Sequence, residues 1–383
     1  MKLLKNCVLI VSITIALFLA CDFTLSRLGV TPEYFAHKNR RFNMDDPSRG
    51  VAHPVYHHDL KQNLNIIDAW GPIKYQLCTN EFGFKVSCSK EKESRKNFDV
   101  AFIGDSFTEA IGVPYEESFV GLYAQKHPGI AVANFGVSSY SASIFFKKIE
   151  FLLNNGFMFK HLVVLPDISD VRDEAVWYAF DEKTGAIIDN PERASIEAYN
   201  KSSEEHDKGK KVENSFHRML MRHFQYTWHI NCLIYDYFDD DGTGEKSVSK
   251  QHEFPLSKWT QDIDSPHFGK EGVPGGIQKN LKYMRKLKQL LDTHKIKMTL
   301  VVYPWPTQVF FDKELHLGVQ IWKNFCIEEA CDAFIDANPF FFDEARKTSK
   351  KDVIKKYYIH GDVHFNKEGN KAMFEIIDSR FKP

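Results

Sequence analysis

Two short segments at opposite ends of the chain carry side chains that together suit acyl chemistry. Gly104-Asp105-Ser106-Phe107-Thr108-Glu109 closes an apolar run at 98–103, and Gly361-Asp362-Val363-His364-Phe365-Asn366 precedes the last helical pattern. A serine hydroxyl is a poor nucleophile until a base takes its proton, and an imidazole base needs a carboxylate to hold its tautomer. Asp362 and His364 are close enough in sequence to face one cleft from an extended or turning segment. Ser106 ends a strand and opens a helix, so free backbone N–H groups stand beside it to meet an oxyanion. Each segment alone also reads as a helix cap or a loop histidine. Taken together they read as nucleophile, base and orienting carboxylate.

The elements that must position these residues follow from the apolar pattern. FDVAFI, IAVANF (130–135), HLVVLP (161–166), MTLVVY (298–303) and AFIDA (333–337) are continuous apolar runs of strand length. Between them lie amphipathic helical stretches at 141–155 and 277–294. Unbroken apolar strands alternating with helices mean a parallel sheet covered on both faces, an α/β fold. A polar stretch at about 180–275 interrupts the alternation and reads as a partly helical insertion able to cap the site. Residues 26–95 hold few apolar periods and several prolines, and read as an extension wrapped around the core of a domain at 96–383. Within the insertion, Asp239, Asp240 and Asp241 lack the spacing and terminal Glu of a calcium loop, and read as a solvated turn.

With these blocks in place, the sequence resembles the GDSL-like, or SGNH, hydrolases from residue 98 to the C-terminus. GDSFTE and DVHFN supply its first and last blocks. Asn134-Phe135-Gly136-Val137 follows the second strand, where that family places an oxyanion glycine. Leu165-Pro166-Asp167-Ile168-Ser169-Asp170 follows the third, where it has Gly-x-Asn-Asp. No Gly-x-Ser-x-Gly elbow surrounds Ser106, which separates it from ordinary α/β-hydrolases. The resemblance implies a three-layer α/β/α fold with a flavodoxin-like parallel sheet. It also implies Ser106 as nucleophile, His364 as general base, Asp362 as its orienter, and the N–H groups of Ser106 and Gly136 at the oxyanion. Ser169 stands where the family's third donor is an Asn side chain. Asp170 would oppose a developing oxyanion unless paired or protonated, and Arg172 is its candidate partner. Asp362 lies two residues before His364, whereas the commoner family spacing falls on Gly361. Trp305, after the fourth strand, either stacks on a sugar ring or packs beneath the insertion.

The compartment is read from the N-terminus and the cysteines. Lys2 and Lys5 precede CVLIVSITIALFLAC at 7–21, an export signal whose best reading is an uncleaved signal-anchor over residues 1–25. The alternative is a cleaved or lipidated leader. An exported body favours Cys78–Cys88 and Cys326–Cys331 as disulfides, with Cys232 left as a thiol. Lys+Arg of 50 against Asp+Glu of 51 leaves no basic field for nucleic acid. No metal-ligand spacing or cofactor motif stands out, and His53, His57 and His58 read as packing or solvated side chains. The expectation is therefore a membrane-anchored serine esterase or acyltransferase with its body on the periplasmic or extracellular side. It would act on O-acyl groups, O-acetyl first, of a surface glycan, without cofactor. The alternatives are a catalytically weak glycan-binding scaffold, or a lipase or thioesterase.

Overall fold

A computed structural model describes residues 2–28, 30, 48–70, 73–90, 94–195, 223–227, 230, 248 and 254–382. Two compact units are present. One comprises the described parts of 1–42, 69–73 and 202–242, and the other those of 43–68, 74–201 and 243–383. Most of the expected insertion, including Asp239, Asp240, Asp241 and Cys232, lies outside the described residues.

The larger unit is built on five strands: β1 (Asn97–Gly104), β2 (Val132–Asn134), β3 (Met158–Leu165), β4 (Lys297–Val302) and β5 (Ala333–Asp336). All pairings are parallel, in the order β5-β4-β3-β1-β2. The register places Ala101 beside both Leu162 and Ala133, Leu300 beside Val164, and Val301 beside Ile335. Successive residues of each strand point to opposite faces, and both faces are covered. Ala101, Ile103, Leu162, Val164 and Leu300 pack with Phe145 and Ile149 of helix Ala142–Asn154 and Met284 and Leu287 of helix Gly272–Thr293. Val100, Phe102, Val163, Leu165 and Val301 pack with Phe119 and Tyr123 of helix Phe119–Lys126 and Met373 and Ile377 of helix Lys367–Arg380. Burial on both sides is why these strands read as unbroken apolar runs. The result is the three-layer α/β/α arrangement expected, with the 2-1-3-4-5 order of doubly wound sheets. The order reverses beside β1, so the ends of β1 and β3 open on the crevice where such folds bind ligands.

Part of the extension packs into this unit's core. Gly50–His53 and His57–Leu60 form an antiparallel ribbon, and Tyr56, Leu60 and Phe84 join the cluster on one face of the sheet. Disulfides join Cys78 to Cys88 and Cys326 to Cys331. In the smaller unit, helix Lys2–Arg27 is long and apolar enough to cross a membrane, with mean hydropathy 2.4 in its most apolar window. Asp22 near its end accepts the backbone N–H groups of Tyr226 and Thr227 at 3.0 and 2.7 Å.

Candidate active site

The chain enters the site at the end of β1. Gly104 is required there, because a Cβ would lie 2.1 Å from Thr108 Oγ1 and 2.8 Å from the Leu165 carbonyl. Asp105 then caps the one-turn helix Ser106–Glu109, accepting the Phe107 N–H at 3.0 Å. Ala110 in the left-handed region ends that turn. This sets Ser106 at the carboxyl edge of the sheet, nearly buried.

The C-terminal segment brings an imidazole to the same place. Gly361 adopts φ 69°, a conformation open to glycine, and reverses the chain after helix Lys350–Tyr357. The Asp362 N–H then donates to the Ile359 carbonyl, and the His364 N–H donates to Asp362 Oδ1 at 3.0 Å. Downstream, Asn366 caps the final helix by accepting the Gly369 N–H. Within this turn His364 Nδ1 is 2.5 Å from Asp362 Oδ1, and Nε2 is 2.7 Å from Ser106 Oγ. The imidazole lies on the Phe107 ring, 4.9 Å between centroids. Carboxylate, imidazole and hydroxyl thus form one hydrogen-bonded line, with all three residues at most 5% exposed.

The other expected site residues are placed differently. Gly136 packs against the Ser106 turn, where a Cβ would come within 2.6 Å of Thr108, but its N–H is donated to Asn134 Oδ1 at 3.0 Å. Asn134 in turn donates to the Thr108 carbonyl. The Ser169 hydroxyl and N–H both go to Asp167 Oδ1, at 2.7 and 2.8 Å. Trp305 is a correction to the exposed, sugar-stacking alternative. It is 3% exposed, it lies against Phe107, and its Nε1 donates to Asp167 Oδ2 at 2.7 Å. An indole fits this buried position because its one polar atom finds a carboxylate. From the described end of the insertion, Trp259 is buried and donates Nε1 to the Ile168 carbonyl.

Asp170 accepts the Asp167 N–H at 3.1 Å. Burial first, then the charge of Asp167, pushes its carboxyl well above the ordinary range, which eases its conflict with an oxyanion. Asp173 is also raised by burial, with Arg172 acting in the opposite direction. Arg172 Nε donates to the His267 carbonyl.

The extension braces the loops around Ser106, a role that no local motif announces. Glu109 is fully buried. It accepts the Ser138 N–H at 2.8 Å and pairs with Arg49, which also reaches Asp68 at 3.0 Å. Lys85 donates to the carbonyls of Ala110 and Val113 at 2.8 and 2.7 Å. These contacts tie the turn after Ser106 to the loop after β2. Ser139 in that loop is a non-glycine residue at φ 62°, strain of the kind that collects at functional rims. Among the described residues no cluster of three or more His, Cys, Asp or Glu is arranged to hold a metal.

No protein-family model and no curated protein matches the chain. Among solved structures it is similar to TesA, with 8% identity, 73% of this chain and 96% of that one covered, and a TM-score of 0.37. It is similar to a lipolytic protein of the G-D-S-L family from Veillonella parvula, with 12% identity, 74% and 97% covered, and a TM-score of 0.40. It is also similar to an acetylxylan esterase from Geobacillus stearothermophilus, with 11% identity, 73% and 92% covered, and a TM-score of 0.37. At these values the chemistry is read from the chain's own geometry.

Proposed function

We propose that the chain is a serine ester hydrolase that works through an acyl-enzyme on Ser106. The observation that carries this reading is the Asp362–His364–Ser106 line, with contacts of 2.5 and 2.7 Å in a buried setting. As Ser106 Oγ attacks an ester carbonyl carbon, its proton passes to His364 Nε2 and the carbonyl electron pair moves to oxygen. The Ser106 N–H at the helix start meets that oxyanion. His364 then protonates the departing alcohol, and water or an acceptor hydroxyl repeats the sequence on the acyl-enzyme. Asp362 holds the Nδ1–H tautomer and stabilises the imidazolium.

The finer reading is an exported, membrane-tethered esterase or acyltransferase for O-acyl groups, O-acetyl first, on a surface glycan. The apolar helix behind Lys2 and Lys5 and the two disulfides support the export and the tether. The second reading, a slow enzyme or glycan-binding scaffold, is favoured by one observation. The Gly136 N–H and the Ser169 hydroxyl are already engaged within the protein. Turnover of p-nitrophenyl acetate by the detergent-solubilised full chain, beside Ser106→Ala, decides between them. Serine-dependent release supports the hydrolase, and equal release from both proteins overturns it.

A further inference from the structure

The nucleophile has one proton and two neighbours placed to accept it. Ser106 Oγ is 2.7 Å from His364 Nε2 and 3.0 Å from Asp105 Oδ2. With the His364 Nδ1–H given to Asp362, a neutral imidazole accepts at Nε2, so the serine proton goes there. The contact with Asp105 then requires a proton on the carboxyl. We infer that Asp105 stands beside Ser106 as a neutral carboxylic acid and donates to Oγ, committing the hydroxyl's own proton to His364.

The hydrogen-bond inventory around Asp105 closes on this assignment. Its other oxygen, Oδ1, accepts the Phe107 N–H at 3.0 Å and faces the Tyr303 hydroxyl at 3.4 Å. The neighbouring carboxylate, Asp167, receives four donors: the Ser169 N–H and O–H, the Tyr303 hydroxyl at 3.0 Å and Trp305 Nε1. Four donors fill an acceptor-only group, so the negative charge of this pair sits on Asp167. The remaining ionisable neighbours are Asp170 and Asp173 after β3, Tyr303 at the end of β4, and Asp362 and His364 from the C-terminal segment. The competing arrangement holds the same number of protons, with His364 doubly protonated and Asp105 ionised. It would place a second charge beside Asp167 in a site where Asp105 is 2% exposed. Burial and the Asp167 charge both push the Asp105 carboxyl well above the ordinary range.

Asp105 is on this reading a positioning residue. Its O–H occupies one lone pair of Oγ, the Oγ–H bond points at Nε2, and the second lone pair is left for the substrate carbonyl. Asp105 keeps its proton while Oγ–C forms and Oγ–H passes to Nε2. It steadies Oγ again when that bond breaks in deacylation. Deprotonation at alkaline pH turns the serine proton toward the new anion and away from His364.

The inference deepens the serine hydrolase reading and rests on it, so its test has an arm independent of turnover. The full-length protein in detergent is compared with Asp105→Asn by difference infrared spectroscopy at neutral pH. The expected result is a protonated-carboxyl stretch that is present in the wild type and missing from the variant. The amide keeps both the donor and the cap, so acylation by p-nitrophenyl acetate should fall by no more than about fivefold. The wild type's alkaline loss of rate should be absent from the variant. An identical carboxyl region in both spectra overturns the inference, as does an alkaline limb retained in Asp105→Asn. Turnover surviving Ser106→Ala instead removes the hydrolase reading, while the infrared band still decides where the proton sits.

Discussion

Asp362→Asn probes the role proposed for that carboxylate, and the structure sets the size of the effect. Asp362 Oδ1 accepts both the His364 backbone N–H and Nδ1. An asparagine side chain can leave an oxygen at that place, so the tautomer and the turn survive. What is lost is the negative charge that stabilises the imidazolium during attack. With roughly 4 Å between charge centres and an effective dielectric constant of about 20, the lost attraction is about 4 kcal/mol. That is about a thousandfold in acylation rate. If the amide rotates to present its N–H to Nδ1, the wrong tautomer is enforced and the loss grows to about ten-thousandfold. The assay is the pre-steady-state release of p-nitrophenol by the full-length protein in detergent, with circular dichroism to confirm the fold. A variant within about fivefold of wild type would refute the assignment of Asp362 as the partner of His364 in the reaction.

Three further outcomes follow from the same contacts. Ser169→Ala should keep its rate within about fivefold, because its hydroxyl is committed to Asp167, whereas losing a working oxyanion donor costs about a hundredfold to a thousandfold. Trp305→Phe removes a donor from buried Asp167, so urea unfolding should show a loss of about 1.5–3 kcal/mol with KM little changed; a raised KM at full stability would restore a substrate-stacking role. Burial depresses His161 and His316 from 6.5 to about 4 each. Because the unfolded imidazoles bind protons first as pH falls, this stability is intact above about 6.5 and is lost progressively toward 4. The loss is up to roughly 3 kcal/mol per histidine, and a urea midpoint unchanged between pH 7 and 4.5 would contradict it.

Much of this architecture was legible because parallel strands buried on both faces leave continuous apolar runs. All five appear near the expected places, and the long helix expected at 277–294 occupies Gly272–Thr293. Strand order leaves no such trace in an apolar run, since any neighbour buries the same side chains. The meeting of Ser106, Asp362 and His364 was legible because acyl chemistry needs those residue types beside helix and strand ends. The commitments of Gly136 and Ser169 were not, because each depends on whether a nearby acceptor, Asn134 Oδ1 or Asp167 Oδ1, turns inward. Trp305 was legible as a rim position, with stacking and packing both left open, since its partner carboxylate comes from a different strand end. Arg49 and Lys85 carried no signal at all: each is a cation in a polar extension whose partners, Glu109 and the carbonyls of Ala110 and Val113, are distant in sequence.

The most direct test of the central claim is to trap the acyl-enzyme. Full-length protein in detergent is mixed with p-nitrophenyl acetate, quenched in acid within the first turnover, digested, and mapped by mass spectrometry. The account predicts one acetyl group per chain on the peptide bearing Ser106, absent from Ser106→Ala and strongly reduced in His364→Ala. Acetylation confined to another residue, with release continuing in Ser106→Ala, would contradict it.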